Sequence, residues 1–348
     1  MPVVYIADQG AALSKKGDRL YVYKGPNLIR WFHTLDIQQL IIVGNVALTA
    51  SVFTHLLKYR IDTVFLSYYG KYKGRLVGEF GKNVNLRVNQ FSFLSKEENL
   101  DELARKYISG KITNMQTHLQ KRKKRYKSEK LNQALIKNSA ILDKLNNELL
   151  PRSSLRGLEG IAAKNYFAAF GDLIKGTNFT FNGRNRRPPK DEINALLSLG
   201  YTFLMNQVMT ATYICGLDPY YGALHETAYG RQSLVLDLME EFRPLVDNLV
   251  IRLVNRREIR PEHFKYNLLP DEESEDDDID QDTKLLPVCM SHEGMKILIT
   301  AFAKMVNSKF RIADPPGLWT LKDIFLLQAR KLSHQFEQQK PYTSFQWL

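Results

Sequence analysis

The chain has 348 residues, 44% of them hydrophobic, which is enough for a full hydrophobic core and for two or three domains. It has no run of about 18 uncharged apolar residues and no basic leader followed by an apolar stretch, so we expect a cytoplasmic protein that does not enter a membrane. The formal net charge of +12 at pH 7 favours nucleic acid as a partner, although basic charge kept only for solubility is an alternative.

The first ninety residues have the pattern of a β-rich domain. Hydrophobic runs such as VVYIA, QLIIVG and DTVFLS are separated by turns, a hairpin is expected around residues 15–18, and one helix is expected at about residues 50–59. Gly44-Asn45 follows a hydrophobic strand, but without a GxGxxG or Walker sequence a turn is favoured over a phosphate loop. We therefore assign residues 1–90 to assembly.

From about Phe91 the hydrophobic period becomes 3.6 residues, which predicts a helical domain over residues 91–348. Residues 97–148 have helical spacing, and within them residues 121–130, KRKKRYKSEK, carry seven basic residues and one acidic residue. A phosphate-contacting face and a solvated helical face both fit this segment. Residues 184–190, RNRRPPK, predict a basic loop, because two prolines prevent a continuous helix.

Residues 153–174 predict a helix with an apolar stripe. Tyr166 belongs to this stripe, and a core position is favoured for it over a position at the site. Gly157 and Gly160 would let another helix approach closely. Glu159 borders the stripe beside these glycines; a single Glu is usually a surface residue, but neighbours this small would leave it accessible to a close partner.

Residues 222–244, GALHETAYGRQSLVLDLMEEFRP, combine a single histidine, His225, with a mainly apolar helix that carries Asp237, Glu240 and Glu241. At spacings of three and four residues these carboxylates are expected to crowd one helix face, where they repel one another. Carboxylates on an apolar helix need a cation, a proton or a hydrogen-bonding partner, and a divalent metal would serve. Cys215 and Cys289 are isolated in sequence, so sulfur is not expected to hold the metal.

Residues 271–282 contain nine acidic residues and no Lys or Arg. This composition predicts a disordered acidic loop, which could mimic nucleic acid over a basic face.

Four segments resemble, in this order, the successive motifs of the CRISPR-associated protein one family, the metal-dependent DNA integrase and endonuclease of CRISPR adaptation: LEGIAAKNYF, NALLSLGYTFL, GLDPYYGALHE and SLVLDLMEEFRP. The N-terminal segment TLDIQQLIIVGNVALTASVFTHLLKYRIDTVFLSYYGKYKGRL is similar to the β-domain of that family, so the resemblance spans roughly residues 1–310. It implies an α+β multi-domain fold, with an N-terminal β-sandwich-like domain that mediates a homodimer and a C-terminal all-helical catalytic domain.

Carried over residue by residue, the resemblance implies that Glu159, His225 and Glu240 are the catalytic metal ligands. Asp237 matches an acidic residue in or near the layer that supports them, and Glu240 replaces an Asp found in some members. Two carboxylates and an imidazole suit Mg²⁺ or Mn²⁺. The implied reaction is attack by a DNA 3′-hydroxyl on a phosphodiester of the CRISPR repeat, which inserts new spacer DNA. The implied partners are DNA, a second copy of the chain and CRISPR-associated protein two.

Basic residues near these positions are predicted DNA contacts: Arg184, Arg186, Arg187, Arg231, Arg243, Arg252 and Arg256. Three readings from other classes remain open: a DNA-binding scaffold without catalysis, a structural RNA-binding protein, and a recombinase with a tyrosine nucleophile. Metal-dependent strand transfer without a covalent protein–DNA adduct would separate the integrase from all three.

Overall fold

A computed structural model describes residues 3–78, 81, 83–185, 189–268, 286–338 and 340–348. The chain divides into two compact units, Met1–Lys82 and Asn83–Leu348. The boundary predicted near residue 90 falls inside a helix of the second unit, Val84–Leu94. The acidic run 271–282 and the predicted DNA contacts Arg186 and Arg187 lie outside the described residues.

The first unit contains two four-stranded sheets and one helix. Its elements are β1 (Val3–Ile6), β2 (Ala11–Lys16), β3 (Arg19–Lys24), β4 (Asn27–His33), β5 (Gln39–Val43), β6 (Val46–Leu48), α1 (Ala50–Lys58), β7 (Asp62–Leu66) and β8 (Tyr72–Leu76). One sheet has the order β1-β5-β7-β8 and the other has the order β4-β3-β2-β6, and both mix parallel with antiparallel pairs. The predicted hairpin is β2–β3, and the predicted helix is α1.

Apolar residues from both sheets and from α1 form one buried core. Ile6, Leu13 and Leu40 come from the strands, and Val52 and Leu56 come from α1. Alternate residues of β2 and β3 are buried, as expected for strands with one face on a core. The β-rich character predicted for this region is therefore present.

The second unit is mainly helical. Its helices are α2 (Val84–Leu94), α3 (Glu97–Lys123), α4 (Glu129–Asn147), α5 (Arg152–Phe170), α6 (Glu192–Cys215), α7 (Ser233–Met239), α8 (Arg243–Asn255), α9 (His292–Val306) and α10 (Leu321–Gln338). Two short antiparallel pairs accompany them: β9 (Phe264–Leu268) with β10 (Leu286–Met290), and β11 (Lys309–Ile312) with β12 (Gly317–Thr320). The fold is thus α+β, as the sequence predicted.

Helix ends in this unit follow local chemistry. The helical spacing of residues 97–148 is divided into α3 and α4, because Ser128 caps α4 by accepting a hydrogen bond from Leu131 N at 3.2 Å. Asp191 caps α6 in the same way, through Asn194 N at 2.8 Å, and Gly216 ends α6 with a φ of +75°. Among the described residues, no helix combines the length and the apolar character needed to cross a bilayer.

Candidate metal centre

Asp237 holds the loop that carries His225. Its fully buried carboxylate accepts hydrogen bonds from Ala223 N at 2.5 Å, Leu224 N at 2.9 Å and His225 N at 2.9 Å. Nδ1 of His225 lies 2.7 Å from Asp237 Oδ1. Because a carboxylate can only accept, Nδ1 carries the hydrogen, and the Nε2 lone pair is left free to bind a cation.

Gly222 makes this close packing possible. A Cβ at this position would lie 2.5 Å from Asp237 Oδ2 and 2.7 Å from Leu234 N, so a larger residue would push the loop away from α7. The glycine just before the histidine motif therefore has a structural reason.

Glu240 lies on the 3₁₀ turn between α7 and α8 and is buried. Its Oε1 accepts a hydrogen bond from Arg243 Nε at 2.8 Å, and its Oε2 forms an ion pair with Lys111 Nζ at 2.6 Å. Burial by itself would raise the pKa of this carboxyl, but Arg243 and Lys111 outweigh it and lower the pKa to about 2. Glu240 is therefore ionised at neutral pH.

Lys111 brings Glu159 and Glu240 together. It lies on α3 with its side chain buried, and its Nζ also donates to Oε1 of Glu159 on α5. Burial lowers the pKa of Lys111, but Glu240 and Glu159 more than compensate, so the pKa lies above its ordinary value. One ammonium group thus sits between two of the three predicted ligands.

Sequence reasoning missed Lys111. Its signal is a single lysine in a stretch, residues 107–120, that has no other Lys, Arg, Asp or Glu, with Ile108, Ile112 and Met115 as buried neighbours on α3. A lysine buried in that way requires anionic partners, so the pattern could have indicated paired carboxylates.

One ion pair brings the loop that carries His225 beside these carboxylates. Arg156, one turn before Glu159 on α5, forms an ion pair with Glu226, the residue after His225. The loop after Gly222 and helix α5 therefore border the same site.

The three acidic residues of 237–241 do not share one face, in contrast to the expectation from their spacing. Asp237 faces the His225 loop, Glu240 faces Lys111 and Arg243, and Glu241 faces residues 340–348 and α10. The reason is that Glu240 and Glu241 are adjacent, and successive side chains of a helix or 3₁₀ turn point about 100–120° apart, so each meets a different part of the fold. Charge repulsion is relieved by separate partners.

Glu241 is fully buried. Its Oε1 accepts from Tyr342 Oη at 2.7 Å, and its Oε2 accepts from Phe345 N at 2.6 Å and from Gln328 Nε2 at 3.1 Å. Burial raises the pKa of this carboxyl to about 7, although these hydrogen bonds oppose the rise.

Within the described ranges, no three His, Cys, Asp or Glu side chains are already gathered as a metal site. The residues present nevertheless fit a hard divalent cation. Glu240 Oε2 is buried and makes no hydrogen bond within the described residues, with only the Lys111 ammonium beside it. Glu159 and His225 are partly exposed, so a cation and its substrate could reach them. Two carboxylates and one imidazole are a donor set suited to Mg²⁺ or Mn²⁺.

Tyr166 lies in the core, the position favoured from the sequence. Its Oη is 2.7 Å from His118 Nδ1 and 3.0 Å from Asp247 Oδ2. Tyr201 donates to the other oxygen of Asp247 at 2.5 Å, and the guanidinium of Arg243 lies 4.6 Å from the centre of the Tyr201 ring. This buried network therefore supports Arg243, which in turn binds Glu240.

The predicted DNA-contact arginines fall into different environments. Arg243 is mostly buried and pairs with Glu240, and Arg184 donates to Asn194 Oδ1 at 2.8 Å and lies over the Tyr201 ring. Arg231 and Arg256 are exposed, and Arg252 is half-buried. The surface positions thus suit contact with DNA better than the two internal ones.

Gly157 and Gly160 do not form the helix contact that their small size suggested. A Cβ at either position would meet nothing within 4 Å, and both residues are exposed. Other faces of α5 pack against α3 and α4, so these glycines instead leave bare helix surface beside Glu159.

Fold and site together define a two-unit α+β protein in which two carboxylates from separate helical segments share one buried lysine, beside a loop that carries a histidine. The family described as "CRISPR associated protein Cas1" matches residues 4–304, and the chain therefore belongs to that family. It is 37% identical over 265 residues to "CRISPR-associated endonuclease Cas1 3" of Thermus thermophilus, which is 75% of this chain and 77% of that protein. The predictions of the family and of an endonuclease are confirmed.

Two solved structures resemble the fold. A casposase bound to its integration product has a TM-score of 0.80 at 21% identity and covers 99% of this chain and 93% of its own. A Cas6-RT-Cas1–Cas2 complex has a TM-score of 0.79 at 23% identity and covers 99% of this chain and 36% of its own. At these identities the likeness concerns the fold alone.

Proposed function

We propose that the protein is a Mg²⁺- or Mn²⁺-dependent endonuclease and integrase that inserts new spacer DNA into a CRISPR array. The observation that carries this proposal is the meeting of Glu159 on α5 with Glu240 on the 3₁₀ turn, across the Lys111 ammonium. Two carboxylates so close together on separate elements are costly unless the site is made for positive charge.

Glu159, His225 and Glu240 would hold the ion. The ion would supply Lewis-acid activation of a hydroxyl and neutralise charge on the reacting phosphate. Other residues of the chain position these ligands. Asp237 holds the His225 ring through Nδ1, which leaves Nε2 for the ion, and Arg243 keeps Glu240 ionised and in place. In integration a DNA 3′-hydroxyl attacks a phosphodiester of the repeat and displaces one strand end; in cleavage, water takes the place of the hydroxyl.

DNA would lie over the surface that carries Glu159. The bare face at Gly157 and Gly160 would let a sugar–phosphate backbone approach the site. The exposed Arg231 and the basic segment 121–130 lie in the same unit and would neutralise phosphates, so binding should weaken steeply with salt.

A homodimer is proposed through the first unit. β4 is an edge strand, and Leu28, Ile29 and Trp31 on it are exposed. An apolar edge of that kind is a site for pairing with another strand. CRISPR-associated protein two is the second proposed partner, since the resembling complex contains Cas2, and the cytoplasm is the proposed compartment.

The test is a strand-transfer assay with the full chain, a labelled DNA with a 3′-hydroxyl and a plasmid that carries a CRISPR repeat. We expect transfer with Mn²⁺ or Mg²⁺, none with EDTA, and none when the donor ends in a 3′-dideoxynucleotide. Glu159→Gln and His225→Ala should each lower the rate at least about a hundredfold, since an ion supplies several kcal/mol to the transition state. Glu262→Gln, at an exposed glutamate paired with Arg260 at 3.4 Å, is the control and should leave the rate unchanged.

Salt-dependent DNA binding without any metal-dependent transfer would instead support the non-catalytic scaffold. Metal-independent transfer, or full activity in Glu159→Gln, would refute the proposed site.

A further inference from the structure

Residues 340–348 pack against α3, which carries Lys111, and against the 3₁₀ turn that carries Glu240. Tyr342 and Phe345 are buried at 1% and 3% exposure. The Phe345 ring stacks on Phe242 at 4.9 Å, and the Tyr342 ring packs on Tyr107 at 5.5 Å. This segment contains no helix or strand, yet two of its aromatic side chains are buried in the core.

Residues 340–348 contact Glu241 and Phe242, the two residues that follow Glu240. Glu241 receives the Tyr342 hydroxyl and the Phe345 amide, and Phe242 receives the Phe345 ring. These two hydrogen bonds are short, at 2.7 Å and 2.6 Å, so the Glu241 side chain is held in one position and the backbone at Glu241 has little freedom. Glu240 shares that backbone.

The same segment also contacts α3 on both sides of Lys111, at Gly110 and at Asn114. Asn114 Nδ2 donates to Phe345 O at 2.9 Å and to Glu241 O at 2.8 Å, and Trp347 N donates to Asn114 Oδ1 at 2.7 Å. At Gly110, an added Cβ would lie 2.6 Å from Ser344 Cβ and 2.8 Å from Ser344 Oγ, so the segment and the helix are in tight contact.

We propose that residues 340–348 act as a strap that positions Glu240 and Lys111 relative to each other. The inference rests on the metal centre proposed above and assigns the strap a positioning role without contact to the reacting atoms. A change in the strap should therefore alter metal affinity even when the ligands themselves are intact.

Gly110→Ala tests the contact by a steric route. It should push α3 and the strap apart and weaken Mn²⁺ binding by about tenfold, the effect typical of residues that support metal ligands. Ser344→Gly removes the two nearest colliding atoms and leaves Glu241 Cγ at 3.3 Å, so the double variant Gly110→Ala/Ser344→Gly should return the Mn²⁺ affinity to within about threefold of wild type. Such a return would show that the loss of affinity arises at the contact between Gly110 and Ser344 and not from a general effect of alanine on α3.

Tyr342→Phe tests the same link by removing one hydroxyl at nearly constant volume. It should also weaken Mn²⁺ binding by about tenfold. The matched control is Tyr266→Phe, which removes another tyrosine-to-glutamate hydrogen bond, to Glu192 Oε1 at 2.5 Å, on the exposed surface of the same unit. The control should bind Mn²⁺ like wild type.

Mn²⁺ binding is measured by isothermal titration calorimetry on the full chain without DNA, and circular dichroism verifies folding. Wild-type affinity in both Gly110→Ala and Tyr342→Phe would overturn the strap while leaving the metal centre standing. A wild-type chain that binds no Mn²⁺ would refute the metal centre itself, and the strap with it. If Tyr342→Phe does not fold, the Gly110–Ser344 pair decides the question alone.

Discussion

Asp237→Asn is the sharpest perturbation of the histidine half of the site. Wild-type Asp237 accepts hydrogen bonds from Ala223 N, Leu224 N, His225 N and His225 Nδ1. An asparagine of the same shape has one accepting oxygen and one donating nitrogen, so two of these four donors lose their acceptor whichever way the amide turns. Since each bond to a charged acceptor contributes about 1.5–3 kcal/mol and two are lost, we expect a loss of about 3–6 kcal/mol in the free energy of unfolding.

The two amide orientations have different consequences for His225. If the amide nitrogen faces Ala223 and Leu224, two backbone N–H groups are buried without partners. If it faces His225, Nδ1 must accept, which moves the ring hydrogen to Nε2 and removes the lone pair that would bind an ion. Either way the ring is poorly held or wrongly protonated, and the Mn²⁺ affinity should fall about 10- to 100-fold.

Urea unfolding gives the stability of Asp237→Asn, and calorimetric titration of Mn²⁺ gives the affinity. Asp323→Asn is the control, because Asp323 is exposed in the same unit and an asparagine oxygen can still accept the hydrogen bond from the Thr320 hydroxyl. An Asp237→Asn variant with unchanged urea midpoint and Mn²⁺ affinity would show that Asp237 does not hold His225.

Lys111→Met should lower the free energy of unfolding of the metal-free protein by about 3 kcal/mol, because it leaves Glu159 and Glu240 without their shared cation. Mn²⁺ should recover more stability in the variant than in wild type. Urea unfolding curves of the variant that are equal with and without Mn²⁺ would contradict this. Gly160→Ala should raise the free energy of unfolding by about 0.5–1 kcal/mol and yet weaken DNA binding in a fluorescence assay, whereas unchanged DNA affinity would argue against DNA passing over this face. For Asp247, burial raises the folded-state pKa from 3.8 to about 6, although two tyrosine hydroxyls donate to it. Between these two values the folded protein holds a proton that the unfolded chain releases. The free energy of unfolding therefore falls as the pH rises from about 4 to about 6. Asp247→Asn should abolish this part of the fall, of the order of 3 kcal/mol, in urea unfolding measured across that range; a difference between wild type and variant that does not change with pH would refute it.

The sequence predicted the elements whose signals are local. Alternating and continuous apolar runs predict the strands of the first unit, and 3.6-residue periodicity predicts the helices of the second, because side-chain period follows directly from backbone geometry. Motif order identified the family, and with it the positions of Glu159, His225 and Glu240. Their role as ligands stays a prediction until metal binding is measured.

Tertiary structure alone decided which groups face one another. Asp237, Glu240 and Glu241 are close in sequence but have unrelated partners, because their side chains leave the helix in different directions and each direction meets a different segment of the fold. The small size of Gly157 and Gly160 predicted a helix contact, but both residues are exposed. Local spacing does not determine which side of a helix packs against its neighbour.

The sequence by itself determined the fold class and the basic charge, and it predicted which residues would bind a hard cation. Packing alone decided that a lysine 48 positions before Glu159 lies between the two carboxylates, and that residues 340–348 fold back behind them. The reason is physical: periodicity and motif are written over a few residues, whereas a buried charge finds its counter-charge through contacts between segments that are far apart along the chain.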